Sequence, residues 1–455
     1  MDYLIGIIVR VIVWFSKYSA MFAKWGIGAY EAWESGKKIK LLLVGYNGMR
    51  NTGADARVVA MVEQIESVFG REQVEISVMT LDADSMRGYF PEWVQLIPFH
   101  TIFFFELYRQ CCRHHAVLLC EGSTLKSTFA NALTLFFCQA AGIMKQQKKP
   151  CIAYGSEIGT MEPFLEKIAV DLCSDTYFIV RTQDSYNELQ KLCLHGHVGT
   201  DTAWTFSSES LPLDVRNKLI RDGWDEIKPL LGVAVINPFW WPVRSSIQKW
   251  VKTLITGDKT MQYNKWYYFS DSEQRKTKYQ RYIAQIAQAV QQYALETDYH
   301  IVLIGMEKLD ESACRDLSNL LNVPHSIVLS KDETAFTLTA LLRNLSLLIT
   351  SRYHACVLSM EAQIPVIAIS MDERLDNLMR EVGLAEQYLL HVEGTDLTKA
   401  IYAAIQSAEI NREFIATRMA LQMQYYYETV NHMAVFLQDY LYKHFEQMDS
   451  QQERK

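Results

Sequence analysis

The chain has 455 residues, of which 49% are hydrophobic and 21% are charged, so it can form two domains with full cores and is not a disordered protein. Its net charge of -7 argues against bulk binding to nucleic acid. The nine cysteines include no C-x-x-C pair and lie mostly in apolar runs, which predicts reduced core cysteines in a cytoplasmic protein. No metal is expected at residues 111–115 (CCRHH), because no second group of ligands follows at finger-like spacing.

The first 38 residues are predicted to form a membrane-associating amphipathic segment. Arg10, Lys17 and Lys24 recur every seven residues and therefore share one face of a helix whose other faces are apolar and aromatic. These cations interrupt apolar runs that are too short to span a bilayer. We expect this helix to lie on the anionic inner face of the plasma membrane. A cleaved secretory signal and a short spanning helix are the alternatives.

Residues 39–207 predict a first Rossmann-like domain. Apolar strands such as IKLLLVGY alternate there with helix-length segments, and this alternation is typical of a doubly wound parallel sheet. The first strand leads through the polar, glycine-bearing turn NGMRNTGAD into a helix. Residues 208–228 form a polar stretch without a strand, which we interpret as an interdomain linker.

Residues 229–405 repeat the alternation and predict a second Rossmann-like domain, so that a cleft lies between the two domains. An aromatic and basic insert at residues 239–278 breaks the rhythm of strands and helices. It is either a satellite core under a long loop or a surface that dips toward the membrane or a lipid-carried substrate. Residues 406–455 predict a long helix followed by a polar tail.

The segment LITSRYHACVLSMEAQIPVIAIS, residues 348–370, predicts a compact strand, helix and strand. Its SRYH tetrapeptide then lies at the carboxyl end of a strand and the amino end of a helix, where α/β sheets bind ligands and free N–H groups attract anions. Ser351 is the expected N-cap of the helix. In the alternative interpretation, Arg352 and His354 merely cap and solubilise the turn.

Several motifs in the order of the chain resemble those of the polysaccharide pyruvyl transferase family. They are GYNGMRNTGAD, CEGSTLKS, AYGSEIG, VRTQDSYNELQKL, GTDTAW and TSRYHACVLSMEAQIPVIAISMDERLDNLM. The resemblance covers about residues 40–384 and implies a two-lobed fold of the glycosyltransferase B type, with the acceptor on the amino-terminal lobe. It also implies transfer of a pyruvyl group from phosphoenolpyruvate to a sugar of a cell-envelope or lipid-linked glycan, with formation of a ketal and without a cofactor.

Such a transfer needs a pocket for two anionic groups, an acid for the methylene carbon and a base for the sugar hydroxyl. Arg352 and Arg181 are the expected ligands of the donor anions, because a guanidinium donates two parallel hydrogen bonds. Arg181 matches the arginine of the family's R-D-x-x-S motif; alternatively, it caps a turn with Asp184. His354 is the candidate general acid or phosphate ligand, and anionic neighbours would favour its protonated form. Tyr353 is assigned to packing.

The other candidates lie at turns between predicted strands and helices. Asp55 and Glu121 could orient or deprotonate an acceptor hydroxyl, and a role as solvated turn residues is equally open. The further donor-side candidates are Ser351 and Arg374, and the acceptor-side candidates are Asn51, Gly53 and Ser123.

Two other functions remain open, because a fold does not fix the transferred group. In a nucleotide-sugar glycosyltransferase, Arg352 and His354 would contact the diphosphate, and Glu307 or Asp310 the ribose. The second alternative is a non-catalytic, membrane-bound scaffold. The sequence makes no prediction of oligomeric state.

Overall fold

The computed structural model of the chain describes residues 1–100, 102–258, 261–264 and 266–452, which form two lobes built on parallel sheets. The strands of the first lobe are β1 (Ile39–Val44), β2 (Val74–Thr80), β3 (Gln95–Pro98), β4 (Ala116–Leu119), β5 (Ser123–Leu125), β6 (Cys151–Ile158), β7 (Tyr177–Val180) and β8 (His195–Val198). Its helices are α1 (Asp2–Ser16), α2 (Ser19–Lys24), α3 (Thr52–Phe69), α4 (Phe104–Arg113), α5 (Asn131–Gln147), α6 (Pro163–Leu172) and α7 (Gln183–Lys191).

The second lobe and the insert contain the strands β9 (Leu230–Ala234), β10 (Arg244–Ser245), β11 (Gln262–Asn264), β12 (Tyr267–Tyr268), β13 (His300–Gly305), β14 (His325–Leu329), β15 (Leu347–Thr350), β16 (Val366–Ser370) and β17 (Leu389–His391). The helices are α8 (Leu213–Arg221), α9 (Ile247–Thr256), α10 (Glu273–Glu296), α11 (Glu311–Leu320), α12 (Ala335–Arg343), α13 (Tyr353–Met360), α14 (Glu373–Val382), α15 (Ala385–Tyr388), α16 (Leu397–Ile410) and α17 (Arg412–Gln452).

Both large sheets are parallel and doubly wound, which confirms the predicted fold class. The first has the order β3-β2-β1-β4-β6-β7-β8, with β5 beside β6, and the second has the order β14-β13-β9-β15-β16-β17. Strands such as β4 (AVLL) are apolar along their whole length because helices cover both faces of a parallel sheet.

The strand order reverses between β1 and β4 in one lobe and between β9 and β15 in the other. Ligands of doubly wound sheets bind at the carboxyl ends of the strands on either side of such a reversal. Residues that follow these four strands, Tyr46, Glu121, Ile236 and Arg352, line one shared cavity. The fold therefore brings the two expected ligand-binding edges together.

The amino-terminal helices pack on the first lobe with one side and leave the other side exposed. Val9 and Val13 of α1 are buried, and the close approach to α5 needs Gly142, where a Cβ would lie 2.9 Å from Val13 Cγ2. Tyr3, Ile7 and other large apolar residues of α1 face outward. Among the described residues, no helix is both long and apolar enough to cross a membrane.

The insert and the last helix complete the molecule. Strands β10, β12 and β11 form a small antiparallel sheet, and Val243, Tyr267 and Phe269 form a separate core beneath it. Helix α17 crosses both lobes: its Tyr426 stacks on Trp204 of the first lobe and donates a hydrogen bond of 2.6 Å to a carboxylate of α14 in the second lobe.

Candidate active site

One cavity of about 570 Å³ lies between the lobes, and it brings most of the predicted site residues together. The predicted residues that line it are Asn51, Gly53, Glu121, Ser123, Ser351, Arg352, His354 and Arg374. Asp55 and Arg181 are not among the lining residues; both are buried directly behind the cavity wall.

His354 is in the first turn of α13 and contacts the opposite lobe. Its ring packs so closely on Gly53 that a Cβ at this position would overlap the imidazole. Its Nε2 lies 3.5 Å from Oδ2 of Asp201. Burial lowers the pKa of His354 to about 4, although Asp201 opposes the shift. Asp201 thus favours the protonated form, as expected of an anionic neighbour, but burial outweighs it and the imidazole is neutral at pH 7.

Asp201 is the centre of a buried charge network behind His354. Arg57 Nη1 and Arg181 Nη1 each donate to its Oδ2 at 2.8 Å. Burial alone would raise the pKa of Asp201, but Arg57, His354 and Arg181 together lower it well below its usual range. This carboxylate keeps its negative charge and holds two arginines in place, while the Nε2 of His354 faces it without a hydrogen bond among the described residues.

Arg181 is fixed by this network and does not bond Asp184. Its Nη2 donates to Glu157, and its guanidinium lies 4.6 Å from the centroid of the Tyr353 ring. The N-cap of α7 is Thr182, whose hydroxyl accepts from a backbone N–H three residues later. The alternative in which Arg181 caps a turn with Asp184 is therefore wrong.

Arg352 bonds two carboxylates of its own lobe. Its Nε donates to Asp310 Oδ2 at 2.8 Å, and its Nη2 donates to Glu307 Oε2 at 2.8 Å. Nη1 makes no hydrogen bond to any residue that the structure describes, and the side chain lines the cavity. The two carboxylates that a glycosyltransferase would use for ribose are thus engaged by this arginine.

Ser351 does not cap α13, so that prediction is wrong. The N-cap residue is Arg352, and no side chain accepts a hydrogen bond there. The hydroxyl of Ser351 instead accepts from the N–H of Ile236 at 3.2 Å, which joins the ends of β15 and β9. The first N–H groups of α13 are consequently not covered by a side-chain cap.

The candidate bases differ in their surroundings. Asp55 is buried in the first turn of α3, so the interpretation as a solvated turn residue is wrong for it. Burial raises the pKa of Asp55 to about 7, and Glu307 and Glu121 add to the shift. Glu121 lines the cavity, and its Oε1 accepts from the N–H of Gly122 at 2.9 Å.

Two further cations lie at the boundary between the lobes. Arg374 donates to both oxygens of Asp372, and its guanidinium lies 4.8 Å from the centroid of the Phe129 ring. Lys126 is buried between Glu157 of its own lobe and Glu373 of the other, with Nζ 2.5 Å from an oxygen of each. This ion pair ties the lobes together beside the cavity.

Sequence reasoning did not identify Arg57, Lys126, Glu157 or Asp201 as site residues. Each lies in or beside one of the motifs quoted above. The signal that could have identified them was a charged residue within or at the end of an apolar or small-residue stretch.

In the described part of the chain, no group of three or more histidine, cysteine or acidic side chains could hold a metal ion. All nine cysteines are free, and all except Cys193 are buried.

Comparisons with known proteins identify a family and a fold. The family model described as polysaccharide pyruvyl transferase matches residues 51–373. No curated protein matches the chain. UDP-GlcNAc 2-epimerase from Neisseria meningitidis, solved with UDP-GlcNAc, is 10% identical with a TM-score of 0.55, covering 89% of this chain and 100% of that one. Alr3699/HepE from Anabaena, solved with UDP-glucose, is 11% identical with a TM-score of 0.54 and the same coverage. At these identities the likeness shows a shared glycosyltransferase B-like fold.

Proposed function

Because the chain belongs to the polysaccharide pyruvyl transferase family, we propose that it transfers the pyruvyl group of phosphoenolpyruvate to two hydroxyl groups of a cell-envelope or lipid-linked saccharide. The family establishes a transferase that modifies a polysaccharide. The donor, the ketal product and the attachment to the membrane are part of the proposal.

The reaction adds two acceptor oxygens to C2 of phosphoenolpyruvate. One hydroxyl attacks C2 while the methylene carbon takes up a proton and becomes the methyl group. The second hydroxyl then displaces inorganic phosphate from C2, and a cyclic ketal remains. The two hydroxyl protons balance the proton gained by carbon and the proton that leaves with phosphate. No oxidant, reductant or metal is required.

The residues of the cavity suit these steps. The free Nη1 of Arg352 and the first N–H groups of α13 would bind the phosphate or the carboxylate, and Arg374 would bind the other anion. His354 would donate the proton after the incoming anions raise its pKa from about 4. Glu121, which lines the cavity, would accept the hydroxyl proton. Arg181 would act through Asp201, to which it donates and which lies 3.5 Å from Nε2 of His354.

One observation carries the assignment: His354 projects from the donor lobe against Gly53 of the acceptor lobe, beside Arg352 and an acidic wall. An acid at this junction can reach a donor and an acceptor that approach from opposite lobes. A donor with two anionic groups matches a site whose lining includes the guanidinium groups of Arg352 and Arg374 and the amino terminus of α13.

We further propose that the enzyme works in the cytoplasm as a peripheral protein on the inner face of the plasma membrane. The exposed apolar side of α1 and the cations Arg10, Lys17 and Lys24 of the amino-terminal segment support this location, because such a segment binds the surface of an anionic leaflet. The free cysteines agree with a reducing compartment.

The test compares Arg352→Lys and His354→Gln with the wild-type enzyme. Lysine keeps a positive charge beside Asp310 but removes the planar fork, so we expect turnover to fall by about 100-fold, which corresponds to roughly 2–4 kcal/mol. His354→Gln should abolish turnover while it retains donor binding if His354 is the acid, and it should lose binding if His354 is a phosphate ligand. Tyr353→Phe is the matched control and should behave like the wild type.

Phosphate release from phosphoenolpyruvate is measured with a glycan and lipid extract as acceptor, alongside donor binding by calorimetry. Assays with chelator present are expected to give the same rates. Unchanged release in both site variants would refute the assignment of these residues. Binding of UDP-sugars in place of phosphoenolpyruvate would favour a glycosyltransferase, and binding of neither would favour a scaffold.

A further inference from the structure

One wall of the cavity is apolar and has no role in the proposed chemistry. The polar end holds Asn51, Glu121 and His354, but the cavity continues from there between the two lobes. Its other lining residues come from α1, the first lobe and the insert, and they include Leu4, Ile8, Phe103, Phe136, Trp241 and Trp266. Phosphoenolpyruvate is charged, and a sugar ring can stack on an aromatic side chain with one face only, so the aliphatic part of this wall has no partner in the proposed chemistry.

The apolar wall leads to an exposed apolar surface. Leu4 of α1 and Ile247 of α9 both line the cavity, yet 56% and 58% of their surfaces are exposed. The two helices are neighbours at this mouth, because Ser245, just before α9, donates to Asp2 Oδ1 of α1 at 2.9 Å. The mouth of the cavity therefore opens between two helices that present apolar side chains.

Helix α9 has the same character as α1. Its outward side carries Leu254 and Ile255, which are exposed by 65% and 79%. Its sequence IQKWVKTLIT contains two lysines and no acidic residue. This pattern suits the surface of an anionic leaflet. The insert thus places a second membrane-compatible helix opposite α1, on the other side of the mouth.

We propose that the apolar wall binds the hydrocarbon chain of a lipid-linked acceptor. This inference rests on the proposed function and specifies its acceptor. The chain enters from the bilayer between α1 and α9 and lies along the aromatic wall, while the saccharide reaches the polar end beside His354. A volume of about 570 Å³ suits such a ligand, since ligand pockets are usually about 300–1,000 Å³ and mostly apolar.

The first experiment detects the chain without any acceptor saccharide. The full-length protein is irradiated with an alkyl maltoside that carries a diazirine on its C16 chain, and labelled peptides are identified by mass spectrometry. We expect labels on the cavity-lining segments 129–136 and 241–250. Ala132 and Leu133 belong to α5 and line the cavity. Ala132→Phe and Leu133→Trp should each fill part of the cavity and reduce this labelling by about tenfold. Leu213→Phe, at an exposed site on α8, should leave it unchanged.

Labels confined to the outward sides of α1 and α9, or cavity labels that both filling variants leave intact, would overturn the proposal. Thermal unfolding of each variant confirms that it is folded, and two independent filling variants guard against misfolding of one.

The second experiment compares acceptors that carry the same saccharide on a long lipid or on a methyl group. Ala132→Phe should lower the ratio of long-chain to short-chain turnover by about tenfold or more. An unchanged ratio would reject the lipid site while the pyruvyl transfer stands. If the wild type turns over neither acceptor, the proposed function fails, and the labelling result still decides the lipid site.

Discussion

His354 and Gly53 pack against each other across the two lobes at the candidate site. The imidazole fills the space that a side chain at position 53 would need. A backbone position that must be approached this closely requires glycine even without an unusual φ angle. The position of the proposed acid is thus determined by the absence of a side chain in the opposite lobe.

We expect Gly53→Ala to lower phosphate release by about 100-fold because the added methyl group displaces His354 from its place beside Asp201. Alanine in a helix is itself about 0.5–1 kcal/mol more favourable than glycine, which offsets only part of an overpacking cost of about 1–3 kcal/mol, so the melting temperature should fall modestly. The control is Gly394→Ala, which lies outside the site. Wild-type turnover in Gly53→Ala would show that the position of His354 is not critical.

Asp55 provides a pH-dependent test, because burial raises its pKa from the ordinary 3.8 to about 7. Between about pH 4 and pH 7 the folded protein keeps a proton that the unfolded chain has lost, so stability falls as the pH rises through this window. Asp55→Asn should therefore be neutral near pH 4 and stabilising above pH 7, by at most roughly 4 kcal/mol.

Melting temperatures of both proteins across this range measure the difference, and Glu92→Gln controls for removal of an exposed carboxylate. A stabilisation that does not vary with pH would contradict the buried, protonated state of Asp55. If Asp55 is the base for the acceptor hydroxyl, the same variant loses turnover while it gains stability.

At the scale of elements, local sequence patterns predicted which strands and helices form, whereas tertiary packing determines which of their charged side chains meet. The SRYH segment was predicted because apolar strands and a short helix are local features. The partners of Arg352 and Arg57 were not predicted, since Asp310 and Asp201 lie 42 and 144 residues away from them. Which oppositely charged groups meet across such distances is set by tertiary packing and has no periodic signal.

The amino-terminal segment contains a second feature that the sequence pattern did not predict, a break between two helices. The seven-residue spacing of cations predicts one continuous helix, but α1 ends at Ser16 and α2 begins at Ser19. Both hydroxyls donate backwards at 2.6 Å, to the carbonyls of Val13 and Ser16, and such bonds compete with the helical ladder.

Replacing Ile7, Val11 and Trp14 together with glutamine should strongly reduce flotation of the protein with phosphatidylglycerol vesicles, leaving the part that α9 contributes, and should leave the fold intact. All three side chains are exposed, so their loss removes no core contact. High salt should weaken binding of the wild type, because the cations contribute electrostatically. Deletion of residues 1–35, by contrast, uncovers the face of α5 that packs on Val9 and Val13 and should lower stability.

The matched control replaces Leu213, Ile220 and Ile227, exposed apolar residues in or near α8, with glutamine. Flotation of the α1 variant at the level of this control would place membrane affinity elsewhere in the molecule.

At the scale of the whole molecule, α17 connects the lobes. Tyr426 stacks on Trp204 with ring centroids 4.2 Å apart, and its hydroxyl donates to Glu381. We expect Tyr426→Ala to cost roughly 3–5 kcal/mol of unfolding free energy and to lower turnover, because the lobes lose a shared contact. Tyr426→Phe should cost only about 1 kcal/mol, the value of one hydrogen bond.

Chemical denaturation and small-angle scattering measure stability and the separation of the lobes. Tyr425→Ala is the adjacent control, since 55% of that side chain is exposed. Equal losses in the Tyr426 and Tyr425 alanine variants would mean that the stack on Trp204 does not hold the lobes together.

Helix α17 also determines the order in which the protein can be completed during synthesis. Its Gln438 donates to the carbonyl of Val68, 370 residues earlier, and its Met433 lies against Gly199. The nascent amino-terminal lobe therefore emerges from the ribosome with one side uncovered, and the helix that covers it is translated after both lobes. Contacts over such long separations close slowly, and exposed apolar surface invites aggregation in the meantime. Premature termination anywhere before residue 412 would release a chain whose first lobe lacks this cover, a form that chaperones and proteases recognise.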